Sequence, residues 1–258
     1  MAAVTRPVLI ILFIFLLATQ SIAETPKKIA LVIGNSKYIH LPFIPNAKND
    51  AGDMAEALSE VGFNVFKGID LDYRAMIEII GAFQKSLDGA DIALLFFAGH
   101  GVQFNEVNYL IPVDATLKNE IEVEALTIKL QLIIAAMERA AKNRIIFLDS
   151  CRDNPGLINL KVRSSAVGSG LAAENPGTVG TFVTFATNPG NVALDGPGRN
   201  SPFTSALKKS IREPGVEIHQ MMTRVRKEVF SVTNGSQLPW TNSSLQENVF
   251  LSTRAVAR

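Results

Sequence analysis

Two periodicities alternate along the chain. Residues 28–35 (KIALVIGN) form a short apolar run closed by Gly and Asn, which reads as a strand buried on both faces of a parallel sheet. Ala47, Ala51, Met54, Ala55, Leu58 and Val61 then recur at helical spacing, and Gly62 ends the helix. Residues 63–66 make a second strand, and Asp72 caps a helix that carries Met76, Ile79, Ile80, Phe83 and Leu87 on one face. The third strand, 91–97, is apolar after its first residue and runs into Ala98-Gly99-His100-Gly101. Residues 109–112 suggest one arm of a hairpin, 130–141 a helix, 144–149 a fourth strand ending two residues before Cys151, and 181–186 a fifth. Ser201 caps a helix over 202–211, and a last helix covers about 216–229. Such alternation predicts a three-layer α/β/α sandwich around a mostly parallel sheet. No Pro/Gly-rich linker divides it, so residues 24–258 read as a single domain. The longest irregular stretch, 152–180, is rich in Ser, Gly, Asn and Pro. A loop that long in a compact domain is usually functional or mobile.

The first 23 residues follow a different pattern. Arg6 precedes an unbroken apolar run of 12 residues, 7–18, with small Ser21 and Ala23 placed before Glu24 as at a cleavage site. The pattern is that of a secretory signal peptide, with an uncleaved N-terminal anchor as the alternative. Either way the folded part is expected outside the cytoplasm, periplasmic or secreted, with no membrane attachment once the signal is removed. A net charge of +1 gives no basic field for nucleic acid. One Cys and three His lack zinc-ligand spacing. A single cysteine in an exported chain cannot form an internal disulfide; it is either a free reactive thiol or a small buried hydrophobe.

Ligands of open parallel sheets bind beyond the carboxyl ends of the strands. His100 and Cys151 both fall there, after separate apolar strands. Neighbouring strands lie about 5 Å apart, so an imidazole and a thiol at these ends can meet. The imidazole would take the thiol proton and later protonate a leaving amine. The amides of Gly101 and Cys151 are candidate oxyanion donors, each typically worth about 3 kcal/mol. The bland alternatives are an incidental loop histidine and a buried strand-end thiol. His40 and His219 have no nucleophile near them in sequence and read as surface residues. Met221 and Met222 read as helix core, and Trp240 as a packing residue or a cleft wall.

Residues 97–101 (FAGHG) and 148–153 (LDSCRD) resemble the two signatures of the caspase-like cysteine peptidases, with 51 residues between His100 and Cys151. The opening run 30–35, the Asn-Ala-Lys-Asn-Asp-Ala stretch 46–51 and Asn-Ser-Pro-Phe-Thr at 200–204 are similar to the same family. The resemblance covers nearly all of 28–250 and is nearest to its bacterial, metacaspase-like branch. It implies a caspase-hemoglobinase-like fold, with a large-subunit-like part over about 28–155 and a small-subunit-like part over about 180–250. It also implies a Cys-His dyad and a polypeptide substrate. Animal caspases carry Gln where this chain has Asp149, metacaspases usually follow the cysteine with His-Ser-Gly rather than Arg152-Asp153-Asn154, and many have Ser in place of Ala98.

By that resemblance Asp149 and Asp50 lie at the first specificity pocket. Two carboxylates there favour a cationic side chain, so cleavage is expected after Arg or Lys. Asp50 as a first-turn helix acid and Asp149 as a solvated strand end are the alternatives. In this family the linker is often cut during activation, and Lys161 and Arg163 offer basic sites for self-cleavage within 152–180. No cofactor is expected. Calcium activates some metacaspases, but its ligands cannot be mapped onto this chain. A non-catalytic caspase-like binding module and another thiol amidase on the same sheet are the competing functions.

Overall fold

The computed structural model describes residues 25–151, 167–168, 179–188 and 193–253. Residues 1–24, with the expected signal peptide, most of the 152–180 stretch with Lys161 and Arg163, and the Cys151 side chain lie outside what it describes. Among the described residues no helix is long and apolar enough to cross a membrane.

Five parallel strands form the centre of the sheet, in the order β2 (Asn64–Ile69), β1 (Lys28–Gly34), β3 (Ala90–Phe104), β6 (Ala141–Cys151) and β8 (Thr181–Phe185). A short antiparallel strand, β9 (Trp240–Ser243), closes the edge beyond β8. Alternate residues of the middle strands point to opposite faces, and both faces are covered. Ala30, Val32, Leu94, Phe96, Ile145 and Phe147 pack under α1 (Ala47–Glu60), α5 (Pro202–Ile211) and α6 (Ile218–Val232). Leu31, Ile33, Leu95, Phe97, Ile146 and Leu148 pack under α2 (Tyr73–Ser86) and α4 (Leu130–Glu138). Two covered faces leave no polar alternation in these strands, and the three-layer architecture follows.

Local chemistry sets the entry of each helix. The Asp72 carboxylate accepts from the Ala75 amide and caps α2. Ser201 accepts from the Thr204 amide and caps α5, with Pro202 in the first turn. At Gly34 a Cβ would lie 2.4 Å from the Ala47 carbonyl, so a side chain there would push α1 off the end of β1.

Two strands run further than the apolar pattern predicts. β3 does not end at Phe97; it passes through Gly99 and His100 to Phe104. Beyond Gly101 it pairs with β4 (Val107–Leu110), across a turn in which Asn105 and Glu106 both have positive φ. β4 in turn pairs with the two-residue β5 (Ile128–Lys129), and β7 (Val167–Gly168), from within the linker, pairs with Gln103 and Phe104 of β3. β6 likewise extends to Cys151. His100 and Cys151 are therefore strand residues, not loop residues. A short helix, α3 (Glu120–Leu126), capped by Asn119, was also absent from the apolar pattern.

Candidate active site

β3 and β6 pair in parallel register from Ala90↔Ala141 to His100↔Cys151. Paired positions on neighbouring strands are about 4.8 Å apart, so the backbones of His100 and Cys151 are neighbours at the carboxyl end of the sheet. One residue earlier the Ser150 hydroxyl donates to the Gly99 carbonyl at 2.8 Å, which ties the two strands together. Gly101 follows in β3, buried.

The ring of His100 is buried, with 4% of its residue surface exposed. Its Nε2 lies 2.8 Å from the Pro42 carbonyl. A carbonyl only accepts, so Nε2 carries the proton and the neutral ring keeps its lone pair on Nδ1. Nδ1 is buried and has no hydrogen-bond partner among the described residues. Burial holds the imidazole pKa below its ordinary value, with the Pro42 carbonyl opposing it more weakly. The result is a neutral base whose free lone pair is turned away from the Pro42 anchor.

Next to this strand end is a small, partly open cleft lined by Asp50, Asp149, Asp195, Ala98, Gly99 and Ser201 among others. Asp149 is on β6, two residues before Cys151, and is 8% exposed. It accepts from the Ser201 hydroxyl at 2.5 Å and the Thr204 hydroxyl at 2.6 Å. Asp50, in the first turn of α1, is 2% exposed and accepts from the Ser201 amide at 3.0 Å. Ser201 thus caps α5 and holds both carboxylates. Burial raises both acids. Asp50 is pushed to about 8, the Asp149 charge adding to its burial. Asp149 goes to about 6, with the two hydroxyls opposing the rise. The solvated, strand-end alternative for Asp149 therefore does not hold, whereas Asp50 is a first-turn acid of α1 and is also buried at the cleft.

The third acid, Asp195, was not legible in the sequence. It lies in the irregular segment before α5, and no spacing links it to the other two. A carboxylate in a Gly/Pro-rich loop after a strand was the one available signal. Burial raises its pKa, against a backbone bond from the Asn46 amide. The Asn46 side chain does not cap α1. It donates instead to the carbonyls of Asp195 at 2.7 Å and Gly198 at 2.9 Å. Asn49 donates to the Arg199 carbonyl, and Asp53 pairs with Arg199 and Lys208. The start of α1 thereby fastens the loop that carries Asp195.

The other histidines lie elsewhere. His40 is exposed in the β1–α1 loop, and His219 on α6 pairs with Glu217. Met221 and Met222 are core. Trp240, at the start of β9, is 43% exposed and so is not a packing residue. Among the described residues no group of His, Cys, Asp and Glu could hold a metal ion.

Fold and site define a three-layer α/β/α sandwich with a buried histidine beside an acidic cleft. The family model of the caspase domain, peptidase C14, matches residues 27–250, and the chain belongs to that family. It is 28% identical over 125 residues to the mouse "Mucosa-associated lymphoid tissue lymphoma translocation protein 1 homolog", covering 48% of this chain and 15% of that protein. It is 26% identical over 203 residues to mouse caspase-1, covering 73% of this chain and 50% of that one. The chain therefore spans between about a seventh and half of the length of these curated relatives. Caspase-1 from Spodoptera frugiperda has the same fold, with a TM-score of 0.63 at 16% identity over 89% of this chain and 91% of that one.

Proposed function

We propose that this chain is a cysteine endopeptidase that cuts polypeptides after Arg or Lys, with Cys151 as nucleophile and His100 as base. The observation that carries this reading is the three-carboxylate cleft lying against the strand end where His100 is paired with Cys151. Burial raises all three carboxyl groups while the cleft is empty, and repulsion from Asp149 and Asp195 adds to the rise at Asp50, so ionising them together is costly. A guanidinium or ammonium entering it supplies the missing countercharge and lets them ionise. Family membership and the relatives named above support a peptidase rather than a binding module.

In the proposed reaction Nδ1 of His100 takes the Cys151 proton, and the thiolate attacks the carbonyl carbon of the scissile bond. The oxyanion of the tetrahedral intermediate accepts from the amides of Gly101 and Cys151. Its collapse breaks the C–N bond, the Nδ1 proton goes to the leaving amine, and a thioester remains. Water, deprotonated by the same nitrogen, hydrolyses the thioester and restores the thiol. Fluorogenic peptides ending in Arg, Lys or Asp, assayed with wild type and Cys151→Ala, with and without calcium, test the reading. Cleavage after Arg or Lys that Cys151→Ala lacks is expected; cleavage after Asp alone refutes the specificity.

Two further expectations belong to this reading. The segment 1–23 exports the chain, and an N-terminus at about residue 24 in secreted material would confirm removal. The mature enzyme cuts itself within 152–180 at Lys161 or Arg163, and Cys151→Ala then stays one band on a denaturing gel.

A further inference from the structure

His100 is held from more than one side, and both the ring's carbonyl partner and its aromatic neighbour come from one loop. The β1–α1 loop, residues 35–46, supplies the Pro42 carbonyl to Nε2. It also supplies Tyr38, whose ring centroid lies 4.5 Å from that of His100 at a tilt of 53°. The Tyr38 hydroxyl accepts from the His100 amide at 2.8 Å and donates to the Ile111 carbonyl at 3.2 Å. The Ile111 amide in turn donates to the His100 carbonyl at 3.1 Å. These two hydroxyl bonds therefore end either on His100 or on the residue bonded to it.

The approach is tight. At Gly99 a Cβ would stand 2.7 Å from the Tyr38 hydroxyl, so any side chain there would displace it from the His100 amide. The loop itself is fixed. The Asn35 side chain donates to the Ile111 carbonyl and accepts from the Leu71 amide. The Ser36 and Lys37 amides donate to Asp70, and the Ile39 amide donates to the Val113 carbonyl. Tyr38 is 9% exposed, so its hydroxyl works in a dry environment where a lost bond is not replaced by water at no cost.

We propose that Tyr38 is the positioning residue of the general base: its hydroxyl and ring fix the backbone and plane of His100 so that Nδ1 faces the Cys151 strand end. Tyr38 does not touch the reacting atoms; it acts through His100. The proposal rests on the peptidase reading for its kinetic consequence, but not for its chemical one. Cys151 is the only cysteine in the chain, and its alkylation reports the imidazole–thiol pair without any substrate.

Tyr38→Phe keeps the ring and removes the hydroxyl. Its kcat on an arginyl peptide is expected to fall about 10- to 50-fold with KM within about twofold, because loss of orientation acts on the reacting step and not on the acidic cleft. Iodoacetamide alkylation of Cys151 near pH 6 should be much faster in wild type than in His100→Ala, and Tyr38→Phe should lie close to His100→Ala. A Tyr38→Phe enzyme with wild-type kcat and wild-type alkylation overturns the proposal, as does a loss confined to KM. If wild type and His100→Ala alkylate equally, it is the dyad that fails. If alkylation responds to Tyr38 but no peptide is cut, the positioning role stands and the substrate reading falls. Should the Phe variant not fold, 3,5-difluorotyrosine at position 38 keeps ring and hydroxyl, makes the oxygen a weaker acceptor and the O–H a stronger donor, and is assayed at mildly acidic pH, where the acidified phenol stays protonated. A several-fold lower kcat at unchanged KM supports the proposal, and unchanged kcat overturns it.

Discussion

The two sides of the cleft are built on opposite electrostatic plans. His100 sits among apolar and neutral groups supplied by the first half of the chain: Tyr38, the Pro42 carbonyl and Ile111. The acidic side gathers Asp50, Asp149 and Asp195, and hydroxyls from Ser201 and Thr204, from segments up to about 150 residues apart. On the first side burial keeps a base uncharged so that its lone pair is available. On the second, burial raises acids that a cationic ligand can discharge. Burial thus lowers the pKa of the base on one side and raises those of the acids on the other, favouring the uncharged form in both places.

Removing a reacting group breaks the comparison hardest. His100→Ala or Cys151→Ala should lower kcat by about 10³-fold or more with the fold intact by circular dichroism, as expected when a nucleophile or its base is lost.

Next is Asp149→Asn, which keeps the size of the side chain and removes its charge. A drop of about 100-fold in kcat/KM for arginyl peptides is expected, carried mostly by KM, since truncating one partner of a buried charge pair typically costs 2–5 kcal/mol.

A pH series sharpens the contrast. With Asp149 raised to about 6 and Asp50 to about 8, KM for an arginyl peptide should fall as pH rises across that window. His100, whose pKa is lowered, is already neutral there and should leave kcat flat by its own titration. A KM that rises over the same range would sink the countercharge account.

The same sign applies to stability. Between the ordinary carboxyl value of 3.8 and about 8, the unfolded chain has released the Asp50 proton while the folded chain retains it. The fold therefore loses stability with rising pH across that window. Asp50→Asn, which can still accept from the Ser201 amide, should raise the melting temperature at pH 8 by a few degrees and hardly at all at pH 4, while weakening arginyl binding. Calorimetry at the two pH values checks it.

The smallest effect is expected at the latch. Asn46→Ala frees the loop of Asp195 and should raise KM about two- to fivefold, as loss of one or two neutral hydrogen bonds predicts.

Legibility in the sequence follows the same division. The middle strands and the cap residues Asp72 and Ser201 were readable because both faces of the sheet are covered and each cap acts within four residues. β9, a polar Trp-Thr-Asn-Ser, has no periodicity of its own and is a strand only because β8 offers an edge. The extension of β3 through His100 has the same origin in β4. Asp50 and Asp149 could be named from family motifs. Asp195 and Tyr38 could not, because their roles depend on contacts across the fold: Asn46 to the loop at 195–198, and the hydroxyl of Tyr38 to His100.

β8 is wedged between β6 and β9, while Ser201 grips carboxylates from two distant segments. Severing a peptide bond anywhere in 152–178 would thus leave both fragments interlocked. A nicked molecule would elute from a sizing column as one particle and betray its break only in denaturant, so such a nick would alter chain count without separating the pieces.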